Sequence, residues 1–372
     1  MQQETAGERL LVDVLEVLQH LGRVHVVSRR GLANARAAER GGQPPHTIRE
    51  TKTTRLGTVL ARATSLTPVL SWRDLLALRD RLAAADIVDV QWEDNAVFLP
   101  LIRVLNRRAQ TVVTLHDVLS QRFGRQRDQQ TRPSRRAVWA ARRLAATALE
   151  QVIVHQADDV VVLSTKDADL LPRRGRRARV HVVPPAIQGP LRPARTPARA
   201  GEPPLLLFVG FMARWENEDA VQWFITDILP TVRRAVPDVR VAVAGGGLRE
   251  PLAAELRAAQ VEVHGFIDDL EPLYAEAEAV IVPLRYGAGV KFKVVDALVR
   301  GVPVVTTTVG NEGITPDDAA VVADDAAGFA AAVVRVLSDP SAAEAHARSR
   351  VAAVAGEFGV ARFRARLEEV YR

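Results

Sequence analysis

Residues 279–314 read AVIVPLRYGAGVKFKVVDALVRGVPVVTTTVGNEGI, and the apolar spacing changes twice along them. Ala279–Leu284 is a short apolar run rich in β-branched residues, which predicts a buried strand. Arg285–Gly289 is a turn with two glycines. Val290–Val299 carries Val290, Val294, Ala297 and Leu298 at helical spacing, and Gly301 and Pro303 stop that helix. Val304–Thr308 predicts a second buried strand. Strand, glycine loop, helix and parallel strand make one βαβ unit.

The chemistry of this unit points to an anion. Glycines let a backbone approach a ligand closely, and the free N–H groups of a helix N-terminus favour negative charge. Lys291 and Lys293 fall in the first predicted helical turn, where the helix dipole disfavours cations. Lysine is rare here: 46 of the 50 basic residues are Arg, and two of the four Lys lie in this turn. Lys293 and Asp296 are three apart and share a helix face. A cation for phosphate beside a carboxylate for sugar hydroxyls suits a nucleotide sugar. The same pattern also describes a surface Lys–Asp pair on an ordinary helix.

A length of 372 residues suggests two or three domains, and an apolar share of 48% is normal for globular cores. Cysteine is absent, which excludes disulfides and thiolate metal sites. No apolar run approaches the length of a membrane span, and the N-terminal residues show no signal-peptide pattern. The net charge of +6 is compatible with nucleic acid, anionic lipid or phosphorylated substrates. Nucleic acid is disfavoured, because the basic residues lack interleaved aromatics and aromatics are only 5% of the chain.

From the N-terminus, Leu10–Leu21 predicts an amphipathic helix and Val24–Ser28 a strand. No strand precedes that helix, so the first sheet is expected to lack its first strand. Residues 31–60 are expected to form loop and a short helix. Trp72–Ala85 predicts a helix, Asp86–Trp92 a strand, Phe98–Leu105 a helix, and Thr111–Leu115 a strand ending at His116-Asp117. Residues 121–150 predict an Arg-rich loop and then a long helix. Asp159–Ser164 and Val180–Val183 are further strands. Alternating strands and helices imply a parallel, doubly wound sheet, with its ligand crevice at the carboxyl ends of the strands. Glu93, His116, Asp117 and Ser164 sit at such ends. Each also suits a helix cap or a surface polar residue.

Gly189–Pro204 is rich in Pro, Arg and Ala without periodicity, and reads as a linker. The alternation then restarts and runs to Tyr371. Gly245–Gly247 follows a strand and suits a phosphate loop and a tight turn equally well. The fold class is therefore α/β, with two Rossmann-like domains facing each other across a cleft. The expected bounds are 1–188 for an acceptor-side domain, 189–204 for the linker and 205–357 for a donor domain. Residues 358–372 form a final helix that packs back on the first domain.

Several stretches carry a family resemblance. FVGFMARWENEDAVQWFITDILP (Phe208–Pro230), the VAVAGGG turn, VEVHGFIDDLEPLYAEAEAVIVPLRYGAGVKFKVVDALVRGVPVVTT and Gly310–Gly313 resemble, in order, the donor domain of GT-B glycosyltransferases of family 4. In the first half, Gly7-Glu8-Arg9 resembles the end of the family's N-terminal glycine loop. TVVTLHD resembles the strand that ends in its active-site His, and HVVPPAI the strand that closes the first domain.

The resemblance implies a retaining transfer of sugar from a nucleotide-diphosphate sugar to a glycan or polyprenyl-linked acceptor, with no cofactor and no bound metal. It implies that Lys293 holds the donor diphosphate and that Asp296 binds the ribose. Gly210, Arg285, Gly287, Gly289, Lys291 and Glu312 would complete the donor site, and the backbone at Phe266 and Ile267 would meet the base. His116 would reach the donor sugar, with Gly7 and Glu93 on the acceptor side. Three departures stand out. Ala288 replaces the first Glu of the family's Glu-x7-Glu motif, and Asp296 is one methylene shorter than the second. The usual Arg and Lys after the first donor-domain strand are absent, with Phe211 and Trp215-Glu216-Asn217 in their place. Two other classes remain open on these residues: a sugar-nucleotide epimerase, and a GT-B binding protein without catalysis.

One further stretch is basic. Eight Arg lie between Arg122 and Arg143 against a single acid, Asp128, with Val138, Trp139, Leu144 and Ala145 interspersed. This suits a solvated helix face, or docking on an anionic membrane surface. The expected place is the cytoplasm, peripheral at the inner face of the plasma membrane.

Overall fold

The computed structural model describes residues 6–29, 46–48, 72–187, 189–191 and 203–372. Most of the stretch read as a linker, and of residues 31–60 all but 46–48, lie outside the described residues. Contacts divide the chain into two units: Glu4–Ala186 with Phe363–Arg372, and Ile187–Arg362.

Among the described residues the first unit opens on helix α1 (Ala6–Leu21), followed by β1 (Val27–Arg29) and β2 (His46–Ile48), a parallel pair. Next come α2 (Trp72–Ala77), α3 (Arg79–Ala83), β3 (Ile87–Gln91), a 3₁₀ turn (Glu93–Phe98), α4 (Leu99–Leu105) and β4 (Gln110–Leu115). Then follow α5 (Leu119–Asp128), α6 (Pro133–Gln156), β5 (Asp159–Val162), α7 (Thr165–Leu170) and β6 (Arg179–Val182). Strands β3-β4-β5-β6 form a parallel sheet in chain order. The Val residues of the central strands β4 and β5 are buried on both faces, as helix-covered parallel strands require.

Two expectations need correction here. Residues 119–128 are a helix and not a loop. Arg is a good helix former, and Leu119 and Phe123, one turn apart, bury against Ala146 and Trp139 of α6. Pro133 then starts α6 at its first position, where a missing N–H is harmless. The helix expected over Trp72–Ala85 is also broken, at Leu78.

The second unit carries β7 (Leu205–Val209), α8 (Trp215–Trp223), α9 (Leu229–Ala235), β8 (Arg240–Ala244), α10 (Glu250–Ala258), β9 (Glu262–Gly265), α11 (Glu271–Glu276) and β10 (Ala277–Val282). It continues with α12 (Phe292–Val299), β11 (Val304–Thr306), β12 (Val321–Val322), α13 (Ala326–Ser338) and α14 (Pro340–Phe358). Between α8 and α9 the helix widens into a π-turn over Phe224–Ile228. Pro230 has no N–H to offer the preceding turn, and Leu229 donates to the Phe224 carbonyl instead. The last helix, α15 (Val360–Val370), carries the chain into the first unit, where Arg366 donates to the Val182 carbonyl and Gln110 to that of Val370.

The second sheet is six-stranded and parallel, in the order β12-β11-β10-β7-β8-β9. From β7 the chain builds outward through β8 and β9, then returns to β10 on the other side. The order therefore reverses at β7 and β10, the switch point beyond whose carboxyl ends sheets of this kind bind their ligands. Gly210 follows β7, and the glycine loop of residues 285–289 follows β10. Among the described residues, no helix is long and apolar enough to cross a membrane.

Candidate active site

At this switch point the second unit places one ammonium group. Lys293 lies in the first turn of α12, and its Nζ donates to Asn217 Oδ1 at 2.6 Å. The same Nζ sits 4.4 Å from the ring centre of Phe208, the buried penultimate residue of β7. A Cβ added to Gly210 would lie 2.6 Å from it. Burial lowers the Lys293 pKa to about 7, helped by the charges of Arg214 and Lys291 and opposed by Glu216. An amine this close to losing its proton, with further cations beside it, is suited to receive an anion.

The neighbouring basic residues have other tasks. Lys291 stands at the N-cap position of α12 and its side chain turns back into the loop, donating to the carbonyls of Ala288 (3.0 Å) and Gly289 (2.6 Å), with Glu312 at 3.8 Å. It clasps the glycine loop, whose Gly287 and Gly289 have φ of 122° and 71°. Arg285 makes a two-pronged pair with Asp219 at 2.6 and 3.0 Å, and lies over the rings of Trp223 and Tyr286. Asp296 lies 3.5 Å from Arg300, which also holds Glu271 and stacks on Tyr274. Phe266 and Ile267 follow β9, the outer strand; Phe266 is exposed. The Gly245–Gly247 run packs its backbone against the loop after β7: Met212 N donates to Gly246 O, and Gly245 has no room for a side chain. The tight turn accounts for these glycines.

Two residues near Lys293 were missed from the sequence. Asn217 is buried, accepting from Lys293 and donating to the Phe211 carbonyl at 2.7 Å. Arg214, at the N-cap of α8, adds its charge. Their common signal is position: both lie in the first turns after the strand at the switch point.

The first unit gathers a second cluster at the ends of β3 and β4. His116 stacks on Trp92, with ring centres 4.6 Å apart and planes 15° apart. Trp92 leaves β3 with φ of 65°, a conformation that turns its side chain onto the next strand's end. A Cβ on Gly7, in the first turn of α1, would lie 3.4 Å from the Trp92 ring and 3.8 Å from His116 Nδ1. Thus Gly7, Trp92 and His116 meet, although they are far apart in the chain. Burial lowers the His116 pKa to about 4, so the ring is neutral at ordinary pH. Glu93 is 4% exposed, and its Oε1 is buried without a hydrogen-bond partner among the described residues. Burial, then the nearby Asp117 charge, holds its carboxyl well above the usual carboxylate range. Ser164 caps α7 through the Asp167 amide, so its side chain is a cap.

Comparison with known proteins agrees with this fold. The family model for glycosyl transferases group 1 matches residues 203–339, the part holding β7 to α13. A glycogen synthase of Mycobacterium tuberculosis is 28% identical over 236 residues, 59% of this chain; the match spans 55%, about half, of that relative's length. Sucrose-phosphate synthase of Thermosynechococcus elongatus superposes with a TM-score of 0.70 at 18% identity, covering 97% of this chain and 91% of that one. HepE of Anabaena, solved with UDP and glucose, gives 0.71 at 13% identity over 100% and 97%. The chain has the GT-B fold, and residues 203–339 of its second unit match the model of the glycosyl transferases group 1.

Proposed function

We propose that the protein is a retaining glycosyltransferase, taking a sugar from a nucleotide-diphosphate donor to a glycan or lipid-linked acceptor in the synthesis of a surface polysaccharide or glycoconjugate. The observation that carries this reading is the desolvated Lys293 ammonium at the β7/β10 switch point, beside Gly210 and the first turn of α12. In the proposed reaction, Lys293, the α12 amides and Arg214 stabilise the charge that develops on the leaving diphosphate. Asp296 holds the ribose, and His116 binds a hydroxyl of the transferred sugar. No metal is required, because cations of the chain supply the charge. A UDP-sugar is the first donor to try, since HepE was solved with UDP-glucose.

The test is transfer of radiolabel from a panel of UDP-, ADP- and GDP-hexoses to lipid-extracted and oligosaccharide acceptors, with and without EDTA. Labelled product whose new bond has the donor's anomeric configuration is expected, at a rate EDTA leaves unchanged. Tight nucleotide-sugar binding without transfer to any acceptor would sink the enzyme reading. It would favour a binding protein, to which Ala288 in place of a carboxylate also lends itself.

The surface of α5 and α6 supports an acceptor held at a membrane. Arg132, Arg135, Arg136 and Arg143 are exposed, as are Val138 (48%) and Leu144 (72%), while Arg142 lies 4.5 Å over Trp139. We take this face to dock on an anionic leaflet.

A further inference from the structure

The His116 ring is held from behind by a chain of side chains that the proposed reaction does not use. Asp89 and Gln91 are two apart on β3 and so lie on one face of the sheet. Gln91 pairs in register with Thr114 of β4. Its Nε2 lies 2.7 Å from Asp89 Oδ2 and 3.1 Å from Thr114 Oγ1, while its Oε1 lies 3.2 Å from His116 Nε2.

We propose that Asp89 and Gln91 are positioning residues that lock His116 as its Nε2–H tautomer, leaving Nδ1 as a bare acceptor for a substrate hydroxyl. The second half of that statement rests on the reading of His116 as a sugar-binding residue; the lock itself does not. Donor and acceptor matching fixes the tautomer. A carboxylate can only accept, so the Gln91 amide must turn its NH₂ to Asp89. Its two N–H groups then have two acceptors, Asp89 and Thr114. The carbonyl Oε1 is left facing His116, and a carbonyl only accepts, so His116 Nε2 must carry the proton. The stack on Trp92 fixes the ring plane, and Nδ1 is turned to the side of Gly7. Burial keeps the ring neutral, so Nδ1 keeps its lone pair. Asp89 has the Tyr371 hydroxyl beside it and is raised by burial to about 6, so it is an acceptor-only carboxylate above that pH. Such a His116 takes a group that donates, as a sugar hydroxyl does, and rejects one that only accepts.

The experiment is a long-range ¹H–¹⁵N spectrum of the full chain labelled with ¹⁵N-histidine at pH 8, with His116 assigned from its loss in His116→Gln. The expected result is a protonated Nε2 and a bare Nδ1. In Gln91→Leu the two tautomers should interconvert and average, and kcat should fall about tenfold, the scale of one hydrogen bond, with KM for the donor little changed. Should Gln91→Leu fail to fold, Asp89→Asn replaces it. Its amide can donate to a flipped Gln91, so the same averaging is expected. A protonated Nδ1 in the wild type, or an unaltered tautomer in a folded variant, overturns the lock. A locked tautomer in a protein that transfers no sugar leaves the lock standing and sinks the proposed function instead.

Discussion

At the scale of single residues, Lys293 is the most exposed to test. An amine lowered to about 7 by burial is partly neutral at pH 8, and a bound diphosphate restores its proton. Binding of a nucleotide sugar at pH 8 should therefore take up a proton. Calorimetry in buffers of different ionisation enthalpy reads this directly. Equal enthalpies in Tris and phosphate would remove Lys293 from the diphosphate. Lys293→Ala should lower turnover by about 10²–10³-fold, the scale of one charge-stabilising donor. Stability should move the other way. From pH 7 up to the ordinary 10.5, the unfolded chain binds more protons at this position than the folded one, so the lysine destabilises most at and below pH 7, and less as pH rises. Lys293→Met should melt above the wild type at pH 7, and the gap should narrow toward pH 10. Position in a first helical turn singled out Lys293 in the sequence, but equally singled out Lys291. Only folding shows that one turns back to loop carbonyls and the other to the switch point.

At the scale of elements, two glycines after adjacent strands should behave differently. A Cβ on Gly210 meets the far end of a flexible side chain, the Lys293 ammonium at 2.6 Å, with Asn217 behind it. Gly210→Ala should fold, displace the ammonium and weaken nucleotide-sugar binding. A Cβ on Gly245 would lie 1.8 Å from the Gly210 carbonyl oxygen, at φ of 139°. Gly245→Ala has no such escape and should lower the melting temperature. Thermal melts beside binding isotherms separate the two, and a Gly210→Ala protein that binds normally would count against the crevice at β7. The βαβ reading of residues 279–314 was legible because period and punctuation are local properties. The α5 helix was not, since its apolar contacts are only Leu119 and Phe123, and polar Arg-rich sequence looks alike in loop and helix until a partner is known.

At the scale of the molecule, the basic face of α5 and α6 predicts a salt-sensitive affinity for membranes. Each Arg near an anionic surface adds about 1 kcal/mol, screened over a Debye length. Co-sedimentation with anionic vesicles should be strong at low salt and fall at high salt, and neutral vesicles should not pull the protein down. Arg135→Glu with Arg136→Glu should reduce sedimentation on anionic vesicles without changing the melt, because both side chains are exposed. No binding at low salt would make a soluble acceptor the better reading.

The sequence by itself determined the α/β class, the parallel strands and the likeness of the second unit to glycosyl transferases group 1. Strand and helix periods, glycine turns and motif order are all written within a few residues of one another. Tertiary structure alone decided which polar groups meet. Lys293 finds Asn217 across 76 residues, and His116 finds Gln91 across 25. Tertiary structure also decided that Arg285 answers to Asp219, and that a glycine run after β8 packs against the loop after β7. Such pairings depend on the strand order of the finished sheet. No local period encodes it: the same run of β-branched residues reads alike at a sheet's edge and at its switch point.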